Sequence, residues 1–467
     1  MSQQQVVIVG GGCFGASAAI ELLHRGYRVV IVDELRDAAT ATTASGSDVA
    51  QPHELASSTD DNKLIRPDYG DDAFYTDLMR RAMEQRAGEH GYLPGWRSWN
   101  DFFGEAEPMY HQTGLLLLDR RPWSTGASNE APTFGEASYK TVQTYGMRVE
   151  RVRQAELRSR YRGWNAERYV EGYINHDAGW ADSGRVVAAL LRRAAALGAT
   201  FHRSMVMRLV YDHEATERRT RVLGVETRDG RRVLGDHVVV AAGAWTPSLV
   251  PSVRGFMWPS GQVVCHFAPP DDECRALFDG ASGAFPAWCA AIKETGFYGF
   301  PVHPRTGWLK VGHHGVGFPL RDIEPRRDVL ERLLARARAT EERRFRAFVA
   351  DTFPELARGA TAFMRVCLYC DTASSDFLID REPSIAGLTV AAGCSGHAFK
   401  FTPVLGAIIA DALEGTSLER FSWRAAVKTS AYDSCRRVDA DQLQHNQAIV
   451  QQAIADCTST TSTQAKL

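Results

Sequence analysis

The chain has 467 residues, of which 44% are hydrophobic and 24% charged. This composition excludes a disordered, collagenous or coiled-coil protein, and the length predicts two or three domains. The 54 basic and 56 acidic residues give a formal net charge of −2, so no basic surplus indicates a nucleic-acid partner. No apolar run reaches the ~18 residues of a membrane span, and the polar first residues lead straight into a predicted strand, unlike a signal peptide. We therefore expect neither nucleic acid nor membrane as a partner.

The nine cysteines are scattered along the chain. An odd count without a framework spacing is typical of a reducing compartment. Cys367 and Cys370 form a CxxC motif, but the second pair of ligands that zinc requires is missing. We expect no metal site.

The first 35 residues have the pattern of a βαβ unit. Residues 6–9 are an apolar run typical of a buried parallel strand, residues 13–23 predict a helix that stops at Gly26, and residues 28–33 predict a second strand. The elements expected after them are, in chain order, a loop over 36–62, helix 72–90, helix 183–197, strand 200–210, a hairpin around 228–231, strand 237–241, antiparallel sheet and loops over 251–320, helix 326–352, strands after 365 and over 388–392, and helix 403–413.

A glycine-rich turn joins the first strand to the first helix. Gly10, Gly12 and Gly15 form GxGxxG, and Asp33 ends the second strand. In dinucleotide-binding proteins these glycines allow a tight turn, close approach of the backbone to a pyrophosphate, and close packing of helix on strand. The helix N-terminus attracts the phosphates, and Asp33 would bind the ribose hydroxyls. The turn predicts a dinucleotide site.

The turn alone does not distinguish FAD from NAD. The motif occurs once, at the start of the chain, and no second glycine motif is found mid-chain. This argues against an enzyme that binds both a flavin and a nicotinamide.

Later segments carry a family resemblance. They are 62–66 (NKLIR), 309–314 (LKVGHH), 366–369 (VCLY) with 376–380 (DFLID), and 393–400 (GCSGHAFK). With the glycine turn, and in this order, they resemble the monomeric sarcosine oxidase group, which includes pipecolate, saccharopine and fructosyl-amine (amadoriase) oxidases. The resemblance covers nearly the whole chain. It implies an FAD-dependent oxidase that acts on a secondary amine and reduces O2 to H2O2.

The resemblance implies that FAD is attached covalently, by a thioether to Cys367. On composition alone this residue would be an ordinary buried thiol. The other residues expected at the cofactor site are Gly10, Gly12, Cys13, Phe14, Gly15, Asp33, Ser58, Lys63, Val206, Ala242, Gly243, Trp245, Gly396, Phe399 and Lys400.

Lys310 resembles the lysine that activates oxygen above the flavin in this group. A fixed positive charge there would stabilise superoxide as it forms. The chain has seven lysines against 47 arginines, so a lysine within a motif is informative. His314, Tyr298 and Tyr369 are the further catalytic candidates, the histidine beside the amine and the tyrosines as walls of the pocket. Such residues are also ordinary in protein cores.

Arg66 and Lys400 resemble the pair that clamps the substrate carboxylate, with His397 as a further substrate-binding candidate. A carboxylate suits a guanidinium fork and an ammonium point charge. Fructosyl-amine oxidases tend to carry arginine where this chain has His397 and to lack one at the Arg66 position, which disfavours a sugar-amine substrate. The loop over 36–56 and the Asn62-Lys63 pair are nevertheless closer to the amadoriases.

Several functions stay open at this point. The leading one is oxidation of an N-alkyl amino acid. The alternatives within the oxidases are a fructosyl amino acid oxidase and a fungal alkaloid-pathway oxidase whose iminium product cyclises. Outside the oxidases they are a dehydrogenase linked to a quinone or an electron-transfer flavoprotein, and a non-catalytic dinucleotide sensor.

The expected fold is α/β, with a Rossmann-type FAD-binding domain and an inserted substrate domain of antiparallel sheet plus helices. The first comprises 1–75, 175–250 and 355–440, and the second comprises 76–174 and 251–354. Residues 456–467 are expected to be a flexible tail.

The last three residues, Ala465-Lys466-Leu467, resemble a peroxisomal address of the SKL type. We expect the import receptor as a partner and the peroxisome as the location, with the cytosol as the alternative. The expected oligomeric state is a monomer.

Overall fold

The computed structural model describes residues 3–35, 55–83, 99, 108–123, 131–212, 220–283, 285–320, 327–426 and 440–464. The strands within these residues are β1 (Gln5–Val9), β2 (Arg28–Asp33), β3 (Lys63–Ile65), β4 (Tyr110–His111), β5 (Leu115–Asp119), β6 (Val149–Arg153), β7 (Glu171–Asn175), β8 (Gly179–Ala181), β9 (Thr200–Arg203), β10 (Val206–Asp212), β11 (Thr220–Thr227), β12 (Arg232–Leu234), β13 (His237–Val240), β14 (Met257–Ala268), β15 (Ala287–Ala290), β16 (Phe297–Val302), β17 (Leu309–His313), β18 (Phe318–Pro319), β19 (Ala360–Thr372), β20 (Leu378–Arg381), β21 (Ile385–Ala386) and β22 (Leu388–Ala392).

The α-helices of the same residues are α1 (Cys13–His24), α2 (Ala73–Met83), α3 (Phe134–Thr144), α4 (Gln154–Arg160), α5 (Ser183–Ala196), α6 (Thr246–Leu249), α7 (Asp272–Leu277), α8 (Ile292–Thr295), α9 (Arg327–Thr352), α10 (Pro354–Ala357), α11 (Thr402–Glu414), α12 (Trp423–Ala426) and α13 (Ala440–Gln464). None of these helices is both long enough and apolar enough to cross a membrane. Most of the predicted loop over 36–62 and the end of the predicted helix over 72–90 lie outside the described residues.

A six-stranded sheet forms the nucleotide-binding domain, in the order β20-β22-β13-β1-β2-β9. Strand β1 pairs in parallel with both β13 and β2, as expected from its apolar run over residues 6–9. Val6 and Ile8 pack into a core that includes α1, α5 and α11, whereas Val7 and Val9 pack into a second core on the other face. This alternation follows from the two-residue period of a strand, and it buries β1 on both sides.

The predicted strand over 200–210 is two strands. The chain turns at Ser204, whose N–H donates to the carbonyl of His202 at 3.1 Å. Strand β9 therefore stays at the edge of the six-stranded sheet, while β10 joins a separate sheet with β11, β12 and β21.

A nine-stranded sheet forms the second domain, in the order β18-β14-β17-β16-β15-β5-β7-β6, with β19 also paired to β14. This pairing is antiparallel and extends from Met257–Thr372 to Ala268–Ala360. The expected domain boundary at residue 355 is therefore wrong. The residues of β19 belong to the substrate sheet, because a strand of this length satisfies its backbone groups along β14.

Most of the tail expected over 456–467 lies within helix α13. Helix α13 continues to Gln464 and packs against α9. Once a helix is nucleated, each added residue costs little, so polar residues at its end can continue it. The Ala465-Lys466-Leu467 tripeptide lies outside the described residues.

Candidate active site

The glycine turn closes tightly against the end of β13. Gly10 has φ +104°, and a Cβ there would lie 2.3 Å from the carbonyl oxygen of Ala241. A Cβ on Gly15 would lie 1.9 Å from the carbonyl oxygen of Gly10. Both positions therefore require glycine. The backbone N–H of Gly11 donates to Asp33 Oδ2 at 2.6 Å, which fixes the carboxylate at the end of β2.

A cavity of about 650 Å³ opens beside this turn. Ten of the residues expected at the cofactor site line it, namely Gly10, Gly12, Cys13, Phe14, Asp33, Ser58, Val206, Ala242, Gly243 and Trp245. Gly15 does not line the cavity and instead allows α1 to pack on the turn. The cavity has room for a dinucleotide, and the glycine cradle and the start of α1 suit its phosphates.

Burial raises the pKa of two groups in this cavity. It raises the pKa of Asp33 to about 6, although the Gly11 N–H acts in the opposite direction. It also raises the pKa of the Cys13 thiol to about 12. Near neutral pH Asp33 is still mostly a carboxylate, as an acceptor for ribose hydroxyls should be, and Cys13 is a neutral thiol.

A second cavity, of about 70 Å³, gathers most of the expected substrate site. Its lining comprises Lys63, Leu64, Arg66, Cys289, Ile292, Tyr298, Phe300, His314, Tyr369, Gly396, His397, Phe399 and Lys400. Arg66, His397 and Lys400 come from segments more than 300 residues apart in the chain. The fold thus brings together the three residues expected to bind substrate.

Tyr69, which the sequence analysis missed, connects these groups. Its hydroxyl accepts a hydrogen bond from Lys400 Nζ at 3.1 Å and lies 3.1 Å from His397 Nδ1. The Arg66 guanidinium lies over the Tyr69 ring, 5.1 Å from its centre. Lys400 Nζ also donates to the carbonyl of His397 at 2.9 Å. Two cations are thereby held on one wall of the small cavity.

Tyr298 and Tyr369 contribute two aromatic side chains to the lining of the small cavity. Tyr298 is on β16 and Tyr369 on β19. Burial holds the pKa of both phenols above the usual value, so both remain neutral. His314 follows β17, and its backbone N–H donates to Gly296 at 2.7 Å.

Lys310 lies on β17 and does not line either cavity. Its ammonium contacts Asp60 Oδ2 and donates to the carbonyl of Asn62 at 2.8 Å. Lys63 Nζ reaches the same Asp60 oxygen at 2.9 Å, and Arg365 Nη1 lies 3.9 Å from the other oxygen. Asp60, also missed from sequence, is therefore the anion that organises three cations.

The protonation of this cluster follows from its charges. Burial alone would raise the pKa of Asp60, but Lys310, Lys63 and Arg365 outweigh it and hold that pKa well below its usual range. Burial lowers the pKa of Lys310, and the charge of Lys63 acts in the same direction, whereas Asp60 opposes them. Asp60 is ionised, and Lys310 gives up its proton more readily than an exposed lysine.

Cys367 lines neither cavity, but the two residues that follow it on β19 line one cavity each. Its neighbour Leu368 faces the large cavity, and Tyr369 faces the small one. The Cys367 side chain is fully buried, with Sγ 3.7 Å from Asp60 Oδ2. Burial and this carboxylate raise the pKa of the thiol.

The model of the FAD-dependent oxidoreductase family matches residues 5–412. The chain belongs to this family. The expectation of an FAD-dependent oxidoreductase is thereby confirmed, and the glycine cradle and the large cavity are consistent with its cofactor.

The relatives of this FAD-dependent oxidoreductase include amine oxidases. Monomeric sarcosine oxidase from Bacillus sp. (strain NS-129) is 26% identical over 412 residues, which cover 87% of this chain and 91% of that protein. N-methyl-L-tryptophan oxidase from Salmonella arizonae is 26% identical over 418 residues, which cover 88% and 95%. The structure of fructosyl amine:oxygen oxidoreductase (Amadoriase I) from Aspergillus fumigatus superposes with a TM-score of 0.68 at 21% identity, covering 94% of this chain and 95% of that one. The expected resemblance and the mixed α/β fold are confirmed.

The apolar part of the lining of the small cavity could not be predicted from the sequence either. Cys289 is on β15, Ile292 on α8 and Phe300 on β16, and all three side chains are buried. No motif marks them, because an apolar side chain in a strand reads as core. Only the folded arrangement shows that they face the same space as Arg66 and Lys400.

Proposed function

We propose that this FAD-dependent oxidoreductase oxidises a secondary amine that carries a carboxylate, of the N-alkyl amino acid type. The C–N bond becomes an imine and O2 becomes H2O2. The observation that carries the proposal is the small cavity with Arg66 and Lys400 on one wall, both side chains nearly buried. A guanidinium fork and an ammonium at one position are suited to a carboxylate.

The apolar residues in the lining of the small cavity favour an apolar substituent over a sugar. Leu64, Cys289, Ile292 and Phe300 line the cavity, and none of the described residues that line it is an aspartate or a glutamate. Sugar hydroxyls need acceptors as well as donors, and leaving them unpaired is costly. This argues against the fructosyl amino acid alternative.

Bound FAD supplies the acceptor for the two electrons and the hydrogen that leave the substrate carbon. The chain supplies position and charge. Arg66 and Lys400 bind the carboxylate, Tyr298 and Tyr369 confine the amine, and His314 orients it. The amine must be neutral for its lone pair to assist the loss of hydride, and a mostly apolar cavity favours the neutral form.

We further propose that FAD is attached covalently through Cys367. Support comes from the two residues that follow Cys367, since Leu368 lines the large cavity and Tyr369 lines the small one. Asp60, Lys63 and Arg365 surround the thiol with the charges that would govern its ionisation. Lys310 lines neither cavity but shares Asp60 with Lys63, which lines the small one, and it is proposed as the group that assists O2.

Two cellular properties belong to the same proposal. Ala465-Lys466-Leu467 would direct the protein to the peroxisome through the import receptor, which suits an enzyme that releases H2O2. The name of the Bacillus relative supports a monomer. Import is tested by fusing a fluorescent protein to the N-terminus with and without these three residues, and only the full chain should enter peroxisomes.

The central experiment combines a spectrum with a substrate panel. The purified protein is precipitated with acid, and flavin absorbance is measured in the pellet and in the supernatant. O2 consumption and H2O2 release are then followed with N-methyl amino acids, fructosyl amino acids and the matching amines without a carboxylate. We expect flavin in the pellet and turnover with the first group only.

Other outcomes identify the alternatives. Turnover with a dye acceptor but without O2 consumption would indicate a dehydrogenase. Exchangeable flavin with no turnover of any amine would indicate a dinucleotide sensor. Turnover of fructosyl amino acids alone would contradict the argument from the apolar wall.

A further inference from the structure

A second charged pair lies behind Lys310 and Asp60. His266 is on β14, directly opposite Lys310 on β17, and opposed residues on antiparallel strands point to the same face. His266 Nε2 lies 3.3 Å from Asp61 Oδ2. One nitrogen of His266 and one oxygen each of Asp60 and Asp61 lie within 4.8 Å of one another. The four side chains form a continuous cluster.

Exposure falls from one end of this cluster to the other. The Asp61 side chain is 31% exposed, whereas His266 is 2% exposed. The Lys310 and Asp60 side chains are 2% and 1% exposed. Among these four residues only Asp61 has substantial contact with solvent, so any exchange between solvent and the Lys310–Asp60 pair along this cluster begins at Asp61.

The imidazole of His266 has no good hydrogen bond in the described part of the chain. Both ring nitrogens are buried without a partner of hydrogen-bonding geometry, and the nearest carboxylate oxygen is that of Asp61. Buried polar atoms in this state are uncommon and call for an explanation. Metal binding does not provide one, because Lys310 and Lys63 already occupy Asp60 and repel a further cation.

The proposed oxidase reaction requires a proton beside Lys310, where O2 would be reduced. Loss of hydride from carbon and of a proton from the amine gives the imine, and O2 takes up two electrons and two protons. The hydride from the substrate C–H bond supplies both electrons and one of the two protons. The second proton must come from solvent, and it balances the one proton that the amine releases.

We propose that Asp61 and His266 relay this proton to Lys310. Lys310 Nζ gives a proton to the reduced oxygen and regains one from His266 across the Asp60 carboxylate, and His266 is reprotonated from water by way of Asp61. Asp61 and His266 act through Lys310 and touch neither cavity. The charged groups that face the relay are Asp60, Lys310, Lys63 and Arg365. The inference rests on the proposed use of O2, but not on the identity of the amine.

The test uses the holoenzyme without any amine. Flavin is reduced with dithionite or light, mixed with oxygenated buffer, and followed by absorbance. We expect Asp61→Asn and His266→Gln to slow reoxidation, by roughly 10²-fold for the histidine. Added imidazole should restore the rate of His266→Gln, and the solvent deuterium isotope effect should increase in both variants. His303→Gln is the matched control, since His303 is another buried histidine beside a carboxylate, 3.0 Å from Asp182.

A second measurement is independent of turnover. In resting holoenzyme labelled with 15N-lysine, NMR reports how fast the Lys310 ammonium protons exchange with water, and Lys310→Arg assigns the signal. Both relay variants should slow this exchange, whereas His303→Gln should not. Because Asp61 is partly exposed, Asp61→Asn should fold normally even if His266→Gln does not.

The outcomes separate the inference from the proposed function. Unchanged reoxidation and unchanged exchange in Asp61→Asn would overturn the relay and leave the oxidase intact. Slower reoxidation without rescue or a changed isotope effect would assign His266 a purely structural role and also overturn the relay. If the reduced flavin of the wild-type enzyme does not react with O2, both the relay and the proposed oxidase function are overturned.

Discussion

Lys310 and Asp60 form a buried ion pair across 250 positions of sequence, with both side chains at most 2% exposed. The loop that carries Asp60 leads from Ser58, on the wall of the large cavity, to Lys63, on the wall of the small one. The pair therefore lies where the proposed cofactor and substrate sites approach each other. Its position makes it the natural target for separating the two half-reactions.

Replacing Lys310 with methionine should slow the reaction of the reduced enzyme with O2. The positive charge that stabilises developing superoxide is lost, and such preorganised charges typically contribute on the order of 10²-fold. Reduction by substrate should change much less. Stopped-flow measurement of each half-reaction checks this, with exposed Lys293→Met as the control. Equal slowing of both half-reactions would exclude the oxygen role.

Replacing Asp60 with asparagine should destabilise the fold. Lys310, Lys63 and Arg365 would keep their charges without the anion between them, and breaking a buried pair in this way costs about 3–5 kcal/mol. Denaturant unfolding checks this, with exposed Glu167→Gln as a control that should have little effect.

The loss of folding stability in Asp60→Asn should also depend on pH in a defined direction. The folded pKa of Asp60 is depressed, so its contribution is complete above the unfolded pKa of about 4. It declines only as pH falls from there through the folded pKa. The difference between wild type and Asp60→Asn should therefore be constant between pH 6 and 8. A difference that grows from pH 6 to 8 would contradict this assignment.

Asp33 should have the opposite effect, because its ionisation lowers the stability of the apoprotein as the pH rises. Burial raises its folded pKa to about 6, so ionisation above that pH costs the apoprotein stability, and the cost vanishes below the unfolded pKa of about 4. In a Cys367→Ala background, from which FAD can be removed, Asp33→Asn should stabilise the apoprotein at pH 8 and not at pH 4. Unfolding at both pH values checks this. A variant that is less stable than its parent at pH 8 would contradict it.

The same substitution should weaken FAD binding. A carboxylate accepts stronger hydrogen bonds from ribose hydroxyls than an amide does, by an amount that corresponds to roughly tenfold in affinity. Quenching of flavin fluorescence during titration of the apoprotein measures the dissociation constant.

Replacing Cys367 with alanine should leave FAD that acid precipitation releases into the supernatant. Cys394 lines the large cavity, as Cys367 does not, and is therefore the critical control. Cys394→Ala should retain flavin in the pellet. If Cys394→Ala releases the flavin and Cys367→Ala retains it, the attachment site is Cys394.

Replacing Arg66 with lysine should raise KM for carboxylate-bearing amines by about tenfold or more, because one hydrogen bond of a charged fork is lost. Lys400→Met should act in the same direction. Amines without a carboxylate should be affected little by either change. A uniform loss of activity with both kinds of amine would indicate that the cations hold the fold rather than the substrate.

The parts of the site that are local in sequence could be predicted from it. Gly10, Gly15 and Asp33 lie within one βαβ unit, so a single short segment contains all the residues that predict the dinucleotide site. Only the family resemblance indicates Arg66, Lys310 and Lys400. Their convergence could not be derived from spacing, since it depends on how two domains pack.

Asp60 and Tyr69 show why the other residues of the site could not be predicted from the sequence. Each is an ordinary loop residue in sequence, and each gains its role from partners hundreds of positions away. The domain boundary was misplaced for a similar reason. Strand β19 is followed by nucleotide-domain strands in the chain, and only its pairing with β14 shows that it belongs to the other sheet.

The cavity beside the glycine turn is built from both domains. Gly10 and Asp33 come from the nucleotide sheet, and Leu368 comes from β19 of the substrate sheet. A cofactor bound there would act as a cross-link between two otherwise separate cores. We expect the holoprotein to unfold as one cooperative unit and the apoprotein to unfold in two stages, so that the cofactor serves as a structural part of the protein as well as its redox centre.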